Sequence, residues 1–299
     1  MVFKAALLGK ELSHSISGIL HEELFKIIAP KFGITDSTLE YTLIECPNVG
    51  QFISRTQLLN EQNYIGINVT YPYKSKLLKI SEKKTANVEM LNSGNVARYI
   101  KGELESADTD GIGFTSALVR EYRGFDLSSY HLIFVGDGAA AKAVAYALCA
   151  VKMPKSLTIV SRNQANALTL AEFCGRVISG LNVHVMRIPD AGNMLSAYSH
   201  RFIIQATPVG QKNHPGNPLE EFEWNESDIA ADLIYNPPQT EFLAGAVRGG
   251  SKIMNGLGML IEQAAFSQAF WLSGILPERS PLTSSEYRSM KTFCTKFVK

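Results

Sequence analysis

Short apolar runs, each closing on a turn residue and giving way to helical spacing, recur along the whole chain and limit what it can fold into. Phe3–Leu8 ends at Gly9 and is followed by an apolar-periodic stretch from Ile19 to Ile28, stopped by Pro30. Tyr41–Ile44 precedes a helical stretch over Val49–Leu59, and Tyr64–Val69 precedes another beyond Pro72. Val96–Ile100 and Leu104–Ser106 read as a hairpin around Lys101-Gly102, and Tyr130–Val135, Ser156–Ser161, Val183–Met186, Arg201–Gln205 and Ile229–Ile234 as further strands. Strands alternating with helices describe an α/β chain, whose ligands bind beyond the carboxyl ends of the strands. At 299 residues the chain is long for one core and suits two domains.

Composition excludes several classes of function. A hydrophobic content of 45% and a net charge of +1 leave no basic excess for nucleic acid or an anionic membrane. The apolar start, Met1–Gly9, is too short for a signal segment, and no apolar run approaches the roughly 18 residues of a membrane span. Cys46, Cys149, Cys174 and Cys294 are scattered without a C-x-x-C pair, which reads as reduced thiols in a cytoplasmic protein. The six histidines form no ligand spacing, so no metal is expected. No internal repeat or low-complexity segment stands out.

Several residues sit where chemistry is done, each with an ordinary structural alternative. Tyr64–Val69 places Asn68 and Thr70 at the carboxyl end of a strand, with Pro72 in the first turn of the next helix and Lys74 one turn in. A lysine backed by an apolar segment can have its pKa lowered towards acid–base work; equally, Lys74 is a solvated helix residue. Ser15 and Ser17, two apart in an extended loop, can grip a polyol or carboxylate, or cap a helix. Asn95 in Ser93-Gly-Asn has turn chemistry, and Asp110 stands where a helix N-cap belongs. Gly136-Asp-Gly-Ala-Ala-Ala-Lys142 joins a buried strand to an Ala-rich helix, which lets the backbone at Gly136, Gly138, Ala139 and Ala140 approach a pyrophosphate. Arg162 ends the next strand, where an acid suits a free ribose 2′-hydroxyl and an arginine a 2′-phosphate. Gln263 is an amide on the mostly apolar helical face of Met259, Phe266 and Phe270, and needs a partner if buried.

Asn68-Val-Thr-Tyr-Pro-Tyr-Lys74 resembles the catalytic signature of the shikimate dehydrogenase family, and further segments match it in order. His14-Ser-Ile-Ser17 resembles the family's His-Ser-x-Ser-Pro, Asp108-Thr-Asp110 its Asn-Thr-Asp, and Ser161-Arg162 its Asn-Arg-Thr. Thr207-Pro-Val-Gly210, Asp232-Leu-Ile-Tyr235 and Gly256-Leu-Gly-Met-Leu-Ile-Glu-Gln263 resemble the remaining motifs, so the likeness spans Gly9 to Trp271. The resemblance implies Lys74 and Asp110 as the catalytic pair, and Ser15, Ser17, Thr70, Asn95, Tyr235 and Gln263 as substrate ligands. It implies Gly136, Gly138, Ala139, Ala140, Ser161, Arg162, Thr207, Leu233 and Gly256 at the cofactor. The family's positions depart at Glu11, Gly18, Glu22, Val96, Asp108, Ser161 and Asn166; Asp108 is either solvated or a shift in substrate preference.

The implied fold is a two-domain α/β protein with its active site in the cleft. Residues 1–106, rejoined by 255–299, would bind substrate, and 107–254 would form a Rossmann-type dinucleotide domain. The implied reaction is reversible, NADP-dependent reduction of 3-dehydroshikimate to shikimate in aromatic amino-acid synthesis, with NAD possible as cofactor. A quinate dehydrogenase shares almost every residue, and a non-catalytic binding relative would use the same cleft without needing the lysine–aspartate pair. A short-chain dehydrogenase would need Tyr-x-x-x-Lys, and position 70 is threonine. A monomer or homodimer acting on a small molecule is expected. Ser280–Lys299 reads as a surface helix and tail.

Overall fold

The computed structural model describes residues 1–220 and 222–298, so Glu221, and Lys299 of the expected tail, lie outside the described residues. The chain divides into two compact units, one of Met1–Ser116 with Ile261–Phe297 and one of Ala117–Leu260. The division falls inside a helix at Ser116, ten residues beyond the expected boundary at 106, and the return to the first unit is at Ile261 rather than Asn255.

The first unit starts with β1 (Val2–Gly9), α1 (Ser17–Ile28), β2 (Thr38–Glu45), α2 (Val49–Glu61), β3 (Gly66–Val69), α3 (Lys74–Ile80), β4 (Lys83–Lys84) and α4 (Ala86–Leu91). The hairpin β5 (Val96–Ile100) and β6 (Glu103–Ala107) follows, then α5 (Asp110–Glu121). The sheet order is β2-β1-β3-β5-β6-β4. β1 is parallel to β2 and β3, whereas β5 runs antiparallel to both β3 and β6. The reversal is made at Lys101 and Gly102, both with positive φ (51° and 87°), the geometry of a two-residue hairpin turn that glycine adopts without a steric penalty. It has a functional result: the end of β3, the start of β5 and the end of β6 share one edge of the sheet.

Small and aliphatic residues in β1 suit a strand covered on both faces, and Ala5, Ala6 and Leu8 are fully buried. One face packs Phe25, Tyr41, Phe270 and Trp271; the other packs Phe52, Ile67, Tyr73 and Leu77.

The second unit is β7 (His131–Val135), α6 (Ala139–Val151), β8 (Ser156–Ser161), α7 (Gln164–Val177), β9 (Val183–Arg187), α8 (Ile188–Leu195), β10 (Arg201–Gln205), β11 (Ile229–Asp232), α9 (Glu241–Arg248) and β12 (Lys252–Met254). All its strands are parallel in the order β12-β11-β10-β7-β8-β9, the doubly wound order with its switch point between β7 and β10. Buried Arg201 pairs with Asp228 at 2.5 Å under the β10–β11 edge. Asp232 is buried too; burial pushes its carboxyl up to about 7, while the Thr240 hydroxyl (2.6 Å) and the Ile234 N–H (2.9 Å) pull it back.

α10 (Leu257–Ser273) carries the chain back, and α11 (Ser284–Thr295) closes the first unit. The expected surface helix is more than that. Thr283 and Glu286 form a reciprocal capping box, Tyr287, Met290 and Cys294 bury a stripe, and Lys31 binds both Glu286 and the Pro281 carbonyl. All four cysteines are free and buried. Among the described residues no helix is long and apolar enough to cross a membrane.

Candidate active site

Pro72 does not open a helix as its position suggested. It lies in a turn, and Lys74 is the first residue of α3 rather than a residue one turn in. The turn is tied to β1 by the Thr70 N–H to the Leu8 carbonyl (2.9 Å) and by the Lys10 N–H to the Tyr71 carbonyl (3.2 Å). Thr70 therefore stands beside the start of the segment that leads to Ser15 and Ser17.

Lys74 is mostly buried and ion-pairs through Nζ with Oδ2 of Asp110, the first residue of α5. It is neither a solvated lysine nor one of lowered pKa. Burial alone would lower it, but the charges of Asp110 and Asp108 and the hydrogen bond to Asp110 outweigh burial, so Lys74 sits above its ordinary value. It is held as an ammonium.

Asn95, in the bend before β5, donates from Nδ2 to Asp110 Oδ1 (2.8 Å), Thr109 Oγ1 (3.0 Å) and Gln263 Oε1 (3.3 Å), and its Oδ1 accepts from the Thr109 N–H (2.8 Å). It is a bend residue and a hub at once. Gln263 reaches it from α10 because Gly113 of α5 lets the two helices touch: a Cβ at Gly113 would lie 2.8 Å from the Gln263 Cβ. Beneath this layer Asn68 is buried and acts as scaffold, accepting from Tyr41 Oη (2.9 Å) and donating to Ser267 Oγ (3.0 Å). His21 stacks on Tyr41 at 4.3 Å, and burial pushes it down to about 3, so it stays neutral.

Asp108 is buried, which removes the solvated reading. Its Oδ1 accepts the Asp110 N–H at 3.1 Å, holding the first turn of α5. Burial, then the neighbouring Asp110 charge, pushes Asp108 up to about 7, against the pull of Lys74 and of the Asp110 and Gly111 N–H groups.

Ser15 and Ser17 form a pair. Ser15 Oγ donates to Ser17 Oγ at 2.9 Å and accepts the Ser17 N–H at 3.2 Å, while α1 has Ile16 at its N-cap and no side-chain cap bond. Ser17 lies inside the helix, so the two hydroxyls meet through a local turn rather than an extended segment.

The remaining predicted residues lie in the second unit. Gly136 has φ +113°, and a Cβ there would meet Thr207 Cγ2 at 2.9 Å, so glycine is required where β7 and β10 part. Gly138 has open space around it and is the N-cap of α6, which has no side-chain cap bond. Ala139 and Ala140 follow as small residues in the first turn. No side chain caps the first N–H groups of this 13-residue helix, and a helix start of that kind suits an anion. Ser161 ends β8 next to this turn, and Arg162 follows it, exposed. A Cβ on Gly256 would run into the Leu233 carbonyl, fixing that pair together beyond β11. Tyr235 is half-buried beyond β11, in the second unit.

Sequence reasoning missed Thr109, Ser267 and Tyr41, which complete the polar layer. Thr109 carried a signal, since it lies between two aspartates at a helix start. Tyr41 and Ser267 carried none, because their partners are set by sheet register and helix packing.

Known proteins can be set beside this geometry. The family model for the shikimate dehydrogenase substrate binding domain matches residues 7–97. A shikimate dehydrogenase (NADP(+)) of Caldicellulosiruptor saccharolyticus is 30% identical over 273 residues, covering 90% of this chain and 91% of that relative. The structure of shikimate 5-dehydrogenase from Thermus thermophilus, in complex with NADP(H) and shikimate, superposes with a TM-score of 0.76 at 25% identity, covering 97% of this chain and 99% of that one. A quinate dehydrogenase from Corynebacterium glutamicum in complex with NAD shares the fold, with a TM-score of 0.77 at 21% identity and coverage of 98% and 99%. The chain belongs to the shikimate dehydrogenase family.

Proposed function

We propose that this chain is a shikimate dehydrogenase, interconverting 3-dehydroshikimate and shikimate, with the first unit binding substrate and the second binding NADP. The observation that carries the reading is the Lys74–Asp110 ion pair steadied by Asn95 at the carboxyl edge of a sheet. A protein that only bound a ligand there would have no need of a part-buried ammonium locked to a carboxylate.

NADP, when bound, supplies or accepts the hydride. Lys74 supports that transfer from the oxygen side. Its ammonium donates a hydrogen bond to the C3 carbonyl oxygen of 3-dehydroshikimate and gives up the proton as that oxygen gains charge. Asp110 keeps Lys74 protonated until then, and takes a ring hydroxyl in the ground state. Asn95, Gln263 and Thr70 offer amide and hydroxyl groups to the other ring oxygens. The Ser15–Ser17 pair takes the carboxylate. Fixing the ring at several points leaves little freedom about the reacting carbon. In the second unit the Gly136–Ala140 turn cradles the pyrophosphate, Arg162 takes the 2′-phosphate, and Thr207, Leu233 and Gly256 line the nicotinamide end.

Steady-state oxidation of shikimate and of quinate, each with NADP and with NAD, tests the reading. The highest kcat/KM is expected for shikimate with NADP. A preference for quinate would move the chain to the sister activity, and no turnover of either alcohol would return it to a binding role.

A further inference from the structure

The glycine turn of the second unit carries one side chain larger than a methyl group before α6, and it is an acid. Gly136 admits no Cβ, Gly138 has none, and Ala139 and Ala140 follow. Asp137 is half-buried, and its Oδ2 accepts a hydrogen bond from Ser161 Oγ at 2.6 Å. Ser161 is the last residue of β8, and its hydroxyl also accepts the Asn163 N–H at 3.0 Å. β7 and β8 are adjacent parallel strands, with Val135 opposite Val160. The Asp137 carboxylate therefore spans from the turn after the first strand to the end of the second, next to Arg162.

We propose that Asp137 is a cofactor-specificity residue that favours a ribose with a free 2′-hydroxyl and opposes the 2′-phosphate that Arg162 attracts. This rests on the second unit being the dinucleotide-binding half. In doubly wound sheets the end of the second strand reads the adenosine ribose, an acid accepting from a 2′-hydroxyl and an arginine accommodating a 2′-phosphate. Both chemistries are present here from different elements. The Ser161 bond occupies Oδ2 and holds the carboxylate at that strand end, while Oδ1 has no hydrogen-bond partner among the described residues. A hydroxyl can donate to Oδ1. A phosphate meets a fixed like charge, which the single flexible cation of Arg162 offsets only in part, because Asn166 adds no second one. The structure thus places an acid and a base in opposition, so the chain discriminates weakly between NADP and NAD.

Direct binding tests this without turnover. Dissociation constants for NADP and NAD would be measured by calorimetry, without substrate, on the native protein and on Asp137→Asn and Asp137→Ala. The Asn variant keeps the size and an acceptor for Ser161, and removes only the charge. In both variants the NAD-to-NADP ratio of dissociation constants is expected to rise by about five- to tenfold, the scale of one partly exposed charge contact, chiefly through tighter NADP binding. The rise should shrink at high salt, where the repulsion is screened. An unchanged ratio, with both cofactors altered alike or not at all, would show that Asp137 only shapes the turn and would overturn the proposal. Failure of the folded native protein to bind either dinucleotide would overturn it together with the reading of the second unit.

Discussion

Asn95 and Lys74 hold opposite oxygens of one carboxylate: Asn95 Nδ2 reaches Asp110 Oδ1 at 2.8 Å, and Lys74 Nζ takes Oδ2. The aspartate cannot turn without breaking one contact. Asn95→Ala is expected to lower kcat/KM for shikimate by about 10- to 100-fold, the cost of one lost hydrogen bond to a charged group, with the fold retained. Steady-state kinetics beside a circular dichroism melt would check it; an unaltered kcat/KM would mean that Lys74 alone fixes Asp110.

Removing the ammonium itself should cost more. Lys74→Ala is expected to reduce kcat by roughly 10²–10⁴, the usual range for a positioned acid–base group, with a smaller change in KM. Near-normal kcat in a folded variant would make the ion pair structural.

Asp108 links the site to pH. Its folded pKa is raised to about 7 by burial and by Asp110. A group raised in the folded state contributes stability that is fully present below its unfolded pKa and is lost as pH rises through the folded value. The native protein should therefore lose stability relative to Asp108→Asn between about pH 4 and 7, with most of the loss complete by pH 8. Urea midpoints of both proteins at pH 5 and pH 8 measure this, and parallel midpoints would show that Asp108 ionises normally.

The serine pair predicts non-additivity. Ser15→Ala and Ser17→Ala should each raise KM for shikimate, by about 1.5–3 kcal/mol of lost charge-assisted hydrogen bonding. The double variant should cost less than the sum, because each hydroxyl also positions the other at 2.9 Å. Loss of melting temperature with KM unchanged would assign them to the helix start instead.

Gly113 is a point of close approach between α5 and α10. A Cβ there would lie 2.8 Å from the Gln263 Cβ and 2.9 Å from its backbone nitrogen, and backbone cannot yield as a side-chain tip does. Gly113→Ala is expected to destabilise by about 1–3 kcal/mol, as overpacking does. It should also raise KM by moving Gln263. A stability loss with KM intact would separate Gln263 from the substrate.

Much of this was legible in the chain because it is local. Strand ends at Gly9, Val69, Val135 and Ser161 follow from apolar runs meeting turn residues, and the order of motifs pointed to Lys74 and Asp110 before any geometry. What was hidden depends on contacts between distant segments. The isolated lysine suggested a lowered pKa, and only the nearness of two carboxylates reverses the sign. Asp108 looked free to be solvated, yet between β6 and α5 it is buried. Pro72 read as a helix opener because N1 proline is common, whereas it lies in a turn and the helix starts only at Lys74, after Tyr73 as N-cap.

The β5–β6 hairpin has a consequence for how this chain tolerates changes in length. Val96 faces Ala107 across the ladder, and the Asn95 N–H bonds the Ala107 carbonyl at 3.2 Å, so both walls of the site are keyed to one register. Deleting a residue within 96–100 would turn alternate side chains to the wrong face and draw Asn95 away from Asp110. The Lys101-Gly102 turn lies at the far end of the same hairpin, where an added residue bulges into solvent and leaves the register intact. One end of this ribbon is free to vary, and the other is held to a single residue count by the chemistry it carries.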